Sequence, residues 1–211
     1  MDNKLTEYNC IGILGGTFNP VHNGHIMLAK KVIEQYNNIE QLFLMPNNSP
    51  AYKDNNHIIT SEHRLRMLEL ATYDIPKTSV SDMEIKRGGI TYTIDTLKQI
   101  KSINPTIKIY FIIGADSLYN IEKWHKFKEI FDNCTIIAAK RDCDMTDIIN
   151  YSQELCNKYP NLKISFLQTD SINISSSELR NNIKSGVFDM SYLDDKVIQY
   201  IKNYNLYGWN L

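Results

Sequence analysis

The chain has 211 residues, 43% hydrophobic and 22% charged, with a formal net charge of -1. That length supports a sizeable core without disulfides or structural metal, and the near-neutral charge offers no global field for nucleic acid or an anionic membrane, so an anionic ligand must be held by local groups. No apolar run approaches the ~20 residues of a membrane-spanning helix, and the polar opening at 1–9 lacks the apolar core of a signal peptide. The four cysteines, Cys10, Cys134, Cys143 and Cys156, form neither a CxxC pair nor a Cys/His knuckle. Cys10 and Cys134 lie in apolar runs and read as buried thiols of a reducing, cytoplasmic compartment.

Apolar β-rich runs alternate with helix-periodic segments along the chain. A strand is expected at 10–14, then a helix at 24–36, a strand at 41–45 and a polar loop at 47–56. A helix at 61–73 and a strand at 79–85 follow, then a turn at 87–89 and a helix at 93–102. The second half continues with a strand at 108–113, a helix at 117–131, a strand at 135–139, a helix at 146–158 and a strand at 163–167, and it closes with helices at 176–184 and 194–204. Strands alternating with helices imply βαβ units, and the continuous apolar strands imply burial on both faces. The expected fold is α/β: a doubly wound parallel sheet in a three-layer α/β/α stack. We expect one domain over 1–211, with a helical C-terminal part from about 175 to 211. Ligands in such folds bind beyond the C-terminal strand ends.

The first strand-to-helix turn reads Gly15-Gly16-Thr17-Phe18-Asn19-Pro20-Val21-His22-Asn23-Gly24-His25. Gly15 and Gly16 allow a sharp bend and close approach to a ligand, and the following helix N-terminus is suited to anions. His22 and His25, two of the chain's five histidines, are three apart, which on a helical first turn places both imidazoles on one face. A zinc reading fails, because no nearby Cys or carboxylate completes a tetrahedral set. The 45–53 turn carries Lys53, which suits either a solvated surface or a phosphate. In the turn Gly88-Gly89-Ile90-Thr91-Tyr92-Thr93-Ile94-Asp95-Thr96, Thr91 or Thr93 can cap the next helix and Asp95 suits its first turn. In Phe111-Ile112-Ile113-Gly114-Ala115-Asp116-Ser117-Leu118, Asp116 falls at a strand tip, where a carboxylate can accept ribose hydroxyls or cap a helix. Trp124, beside Lys123, His125 and Lys126, reads as partly exposed. Finally, Ile174-Ser175-Ser176-Ser177-Glu178-Leu179-Arg180 places Ser175 and Glu178 as a capping box, with the Arg180 fork one turn further along and matched to phosphate oxygens.

These segments carry a resemblance. GGTFNPVHNGH resembles the GGTFDPxHxGH signature of HxGH nucleotidylyltransferases, with Asn19 where Asp is usual. The run around Thr93 resembles SYTxDT, FIIGADSL…W resembles FIxGxDxLxxLxxW, and ISSSELR resembles ISSTxIR with Ser177 for Thr. Tyr52 stands where the family usually has His, before the retained Lys53. Together the motifs are most similar to bacterial nicotinate-nucleotide adenylyltransferases, and the 194–207 segment is similar to their closing YIxxxxLY helix.

The resemblance implies a Rossmann-like sheet of the HUP/nucleotidylyltransferase type, and ATP and nicotinate mononucleotide as substrates. It implies His22, His25 and Arg180 as catalytic, and Gly15, Gly16, Thr17, Phe18, Ile174, Ser175, Ser176 and Ser177 beside them around ATP. It places Gly16, Asn19, Lys53, Thr93, Asp116, Trp124 and His125 around the nicotinate nucleotide, with Mg2+ carried by ATP and no protein-held metal. The phosphate nucleophile is mostly dianionic at neutral pH, its second pKa being about 6, so no general base is required and none is evident. The resemblance to the superfamily leaves as alternatives transfer to nicotinamide mononucleotide, where a GRFQP-like start is usual, or to pantetheine phosphate, where TxGH is usual, and a different class would be a non-catalytic nucleotide-binding regulator. The His22-containing HxGH and the GGTFNP start disfavour the first two, and the paired histidines with Arg180 disfavour the third.

Overall fold

The structure is a computed structural model that describes residues 2–51, 57–140, 145–169, 175–186 and 191–209. Six parallel strands form the central sheet: β1 (Cys10–Gly16), β2 (Gln41–Pro46), β4 (Thr78–Val80), β6 (Lys108–Gly114), β7 (Thr135–Lys140) and β8 (Ile164–Gln168). Their spatial order is β4-β2-β1-β6-β7-β8, so the chain winds outward in both directions from between β1 and β6. This is the doubly wound arrangement, with its ligand crevice at the switch point. Two short segments, β3 (Ser49–Pro50) and β5 (Ile90–Thr91), pair in parallel apart from it.

Side chains alternate between faces along each strand, and two buried clusters follow that alternation. Ile11, Ile13, Phe43, Phe111 and Ile136 meet α4 (Thr93–Ile103), α6 (Phe127–Asn133) and α7 (Thr146–Lys158) on one face. Leu14, Leu42, Leu44, Ile112 and Ile137 meet α1 (Asn23–Gln35), α2 (Ser61–Thr72), α8 (Ser176–Lys184) and α9 (Asp195–Asn203) on the other. Cys10 and Cys134 are buried free thiols, and burial pushes the Cys134 thiol up to about 12. Cys143 lies outside the described residues. No helix among the described residues is long and apolar enough to cross a membrane.

Two expected elements differ. The strand expected at 79–85 stops at Val80, and α3 (Met83–Arg87) follows. Ser81 Oγ accepts the Met83 N–H and turns the chain, and Asp82 pairs with Lys86 one turn on. The apolar residues Val80, Met83 and Ile85 suggest a strand without keeping its two-residue period. The long helix expected at 117–131 is broken into α5 (Ala115–Tyr119), a 3-10 turn (Ile121–Lys123) and α6. The Asn120 side chain donates to the Asp116 carbonyl, Trp124 is extended and Lys126 is left-handed with φ 51°. Local side-chain bonding thus competes with the helix ladder, and the break frees Trp124 and His125 from a helix face.

Candidate active site

A cavity of about 530 Å³ opens at the C-terminal ends of β1 and β6, within the size range of small-ligand sites. Its first wall is the turn after β1. Gly15 and Gly16 still belong to the strand, and neither has a positive φ. The expected glycine bend is therefore displaced: the chain turns at Phe18, with φ 49°, ahead of a cis Asn19–Pro20 bond. Gly16 is needed for a different reason, since a Cβ there would stand 3.0 Å from the Phe18 ring.

His22 is the N-cap residue of α1 and is only 4% exposed. It therefore lies behind His25 rather than on an exposed turn, and the two rings stack at 3.7 Å. His25 lines the cavity and packs edge-on against Phe18. The His22 backbone N–H donates to His25 Nδ1 at 3.2 Å. Because Nδ1 accepts, a neutral His25 carries its proton on Nε2, which is its donor side.

The closing motif docks onto this turn from 156 positions away, where Ser176 Oγ donates to the Pro20 carbonyl at 2.9 Å. Arg180 donates through Nη1 to the Asn19 carbonyl at 2.8 Å and through Nη2 to Ser177 Oγ at 3.1 Å. Ser175 caps α8 and forms the expected capping box with Glu178. The carboxylate of Glu178 is held below its usual range by hydrogen bonds from Ser175. Ser176 and Arg180 line the cavity, while Ser175 and Ser177 are exposed beside it. Ile174 and Lys53 lie outside the described residues.

The second wall is formed by Thr91, Tyr92, Thr93, Trp124 and His125. The two segments converge, with the Tyr92 and His125 rings 4.4 Å apart and Trp124 standing edge-on to Phe111. Neither threonine caps α4. Tyr92 takes the N-cap position and no side chain bonds there, because Thr91 Oγ1 instead accepts the Asn48 N–H from the neighbouring loop. Asp95 sits exposed in the first turn of α4. Asp116 is exposed in the first turn of α5 and is not among the cavity-lining side chains.

Asn19 lines the cavity but is buried, with both amide atoms hydrogen-bonded. Its Nδ2 donates to the His57 carbonyl at 2.8 Å, and its Oδ1 accepts from the Ile59 N–H and from the Tyr207 hydroxyl at 3.0 Å. An amide supplies the donor that a carboxylate lacks, which gives this chain's departure from Asp a structural use. Burial raises the Tyr207 hydroxyl well above its usual range, keeping it a donor.

Sequence reasoning missed three residues. Asn47 reaches Thr17 Oγ1 with its amide and lines the cavity, but its loop reads simply as polar. Glu84, another lining residue, is buried and accepts from Thr96 Oγ1 at 2.6 Å, and it was hidden by the strand reading. Arg64 looks like an ordinary helix arginine, although it is 1% exposed. Among the described residues, no group of three or more His, Cys, Asp or Glu side chains could hold a metal ion.

The cytidylyltransferase-like family model matches residues 13–182. Fold and match together define an α/β protein of the nucleotidyl-transferring class. A relative from Lachnoclostridium phytofermentans, named a probable nicotinate-nucleotide adenylyltransferase, is 41% identical over 93% of this chain and 98% of its own length. A relative of the same name from Lactococcus lactis is 38% identical over 93% of this chain and 94% of its own. Among solved structures, Plasmodium falciparum nicotinic acid mononucleotide adenylyltransferase complexed with NaAD has the same fold. Its TM-score is 0.77 at 24% identity, covering 96% of this chain and 99% of that one. The chain belongs to the nicotinate-nucleotide adenylyltransferase family.

Proposed function

We propose that this chain transfers the adenylyl group of ATP to nicotinate mononucleotide, giving nicotinate adenine dinucleotide and pyrophosphate. The observation that carries this reading is a single cavity lined both by the His25 and Arg180 segments and by the Thr93, Trp124 and His125 segments. One wall suits a polyphosphate and the other an aromatic ring with an acceptor group.

A phosphate oxygen of the mononucleotide attacks the α-phosphorus of ATP. A new P–O bond forms as the bond to the β-phosphate bridging oxygen breaks, and pyrophosphate leaves. With a dianionic nucleophile, catalysis reduces to aligning two anions and neutralising charge. The Nε2–H of His25 and the guanidinium of Arg180 donate to phosphate oxygens, His22 backs the His25 ring, and the α1 N-terminus adds its dipole. Gly15, Gly16, Thr17 and Phe18 border the triphosphate, with Ser175, Ser176 and Ser177 at the α8 start, and the family resemblance adds Ile174. Magnesium enters as part of the MgATP substrate and screens the anionic reactants.

On the other wall, Trp124 faces the pyridine ring. Gly16, Asn19, Thr93 and His125 complete the nucleotide's surroundings, and the family resemblance adds Lys53 and Asp116, although Asp116 does not line the cavity. A carboxylate accepts only, whereas a carboxamide brings two donor hydrogens, so a wall that turns N–H and hydroxyl donors to this group favours nicotinate. Opposed donors in a desolvated pocket cost about 1–3 kcal/mol. We place the activity in the cytoplasm, with no nucleic-acid partner.

Pyrophosphate release from MgATP, measured separately with nicotinate mononucleotide, nicotinamide mononucleotide and phosphopantetheine, tests this reading. Nicotinate mononucleotide is expected to be preferred. Equal or better use of the nicotinamide form refutes the substrate assignment, and no release with any acceptor refutes the transfer itself.

A further inference from the structure

Arg64, on α2, is among the largest fully buried side chains of the described residues, with 1% of its surface exposed. Its three donor positions each meet a backbone carbonyl from a different segment. Nη1 reaches Thr17 at 2.9 Å, Nη2 reaches Asn48 at 3.2 Å and Nε reaches Ile59 at 3.2 Å. No carboxylate among the described residues forms an ion pair with it. Burying a cation without a counter-charge is expensive, and burial holds this guanidinium below its usual pKa. A core selected for stability alone would place an apolar side chain here, and such local conflicts concentrate where function demands them.

The three carbonyls belong to segments that border the cavity. Thr17 lines it, Asn48 follows the lining residue Asn47, and Ile59 follows Ile58. Because a trans peptide is planar, its N–H points opposite its C=O. Holding the Thr17 carbonyl therefore fixes the Phe18 N–H in the opposite direction, away from Arg64. Arg180 and Ser176 hold the next carbonyls of the same turn, at Asn19 and Pro20. A flexible loop would otherwise have to be ordered each time a triphosphate binds.

We propose that Arg64 is a positioning residue for nucleotide binding and transfer: its buried fork clamps the Thr17, Asn48 and Ile59 carbonyls and so holds the phosphate-facing turn in register with the loop that carries Asn47. Arg64 touches no substrate in this account and acts through the turn. The transfer part rests on the adenylyltransferase reading, while the ATP-binding part does not.

The test compares wild type with Arg64→Met, which keeps the stem but removes the donors, with Arg64→Lys, and with Arg64→Ala in millimolar guanidinium. Arg66→Met serves as a control for the exposed arginine on the same helix, which pairs with Glu69. Calorimetric ATP affinity and steady-state kcat and KM are measured on protein shown by thermal melting to be folded. In Arg64→Met, displacement of the turn is expected to lower kcat by about 100-fold or to weaken ATP binding by about 10-fold. Arg64→Lys is expected to recover only part of this, since one ammonium cannot span three carbonyls. Added guanidinium should raise Arg64→Ala activity several-fold while leaving wild type and Arg66→Met unchanged.

Should Arg64→Met fail to fold, Arg64→Lys and the guanidinium response of Arg64→Ala decide the matter. Wild-type ATP affinity and turnover in a folded Arg64 variant overturn the proposal, as does an activity loss that follows the unfolded fraction without a guanidinium response. If wild type turns over no pyridine nucleotide, the function reading falls and ATP affinity alone decides: weakened binding in Arg64→Met upholds the clamp, and unchanged binding overturns it.

Discussion

Arg180→Lys separates a forked phosphate contact from a simple positive charge. Arg180 uses Nη1 for the Asn19 carbonyl at 2.8 Å and Nη2 for Ser177 Oγ at 3.1 Å, so the guanidinium plane is fixed by two bonds before any ligand arrives. Lysine keeps the charge but offers one ammonium, which cannot hold both anchors and present a parallel fork. Losing one charge-assisted hydrogen bond to a phosphate costs about 1.5–3 kcal/mol, or about 10- to 150-fold in kcat/KM for ATP.

The fold should be little affected. The helix α8 also docks through Ser176 on Pro20 and through buried Leu179 and Ile183. Ser177→Ala removes only the second anchor, a guanidinium-to-hydroxyl bond at an exposed residue, and a contribution of about 1 kcal/mol predicts a loss of about 5-fold. The assay is pyrophosphate release with one substrate varied at saturation of the other, alongside thermal melting. Equal changes in the Michaelis constants for ATP and nicotinate mononucleotide, or no change in either, refute the placement of Arg180 on the triphosphate.

Three further outcomes are expected. His25→Ala should lower turnover by about 10²–10³-fold, the usual cost of one preorganised donor, with near-native melting, whereas His22→Ala should also lower the melting temperature because His22 is buried. Wild-type turnover in a folded His25→Ala protein removes His25 from the chemistry. Trp124→Ala should raise the Michaelis constant for the nicotinate nucleotide but not that for ATP, and the reverse pattern places the indole elsewhere. Burial raises the Glu84 carboxyl above its ordinary value, outweighing the Thr96 hydrogen bond and the Arg87 charge. A raised folded-state pKa stabilises below the unfolded value and loses that contribution as pH rises through the folded one. Glu84→Gln should therefore gain melting temperature relative to wild type as pH is raised from acid to neutral, and a flat or opposite trend in circular dichroism melts contradicts the shift.

Much was legible from local pattern. Apolar runs located five strands to within two residues, because strands buried on both faces tolerate few polar residues. The same holds for the Ser175–Glu178 capping box, whose partners lie within one turn of chain. The 79–85 and 117–131 segments misled for a common reason. Their breaks depend on single side chains, Ser81 and Asn120, that capture backbone groups, and such competition leaves almost no mark on periodicity.

The sequence by itself determined the alternating α/β plan, the histidine pair at the start of the first helix and the arginine after a serine-capped helix start, since each is written in residues that lie close along the chain. Only the tertiary structure decided that Ser176 and Arg180 close onto Pro20 and Asn19, that Tyr92 meets His125, and that His22 sits behind His25. It alone showed Arg64 buried, with its donors on the Thr17, Asn48 and Ile59 carbonyls. For Ser176, Arg180 and Arg64 the physical reason is that each contact ends on a backbone carbonyl. Every residue type carries that acceptor, so the partner's identity leaves no trace in the amino-acid code.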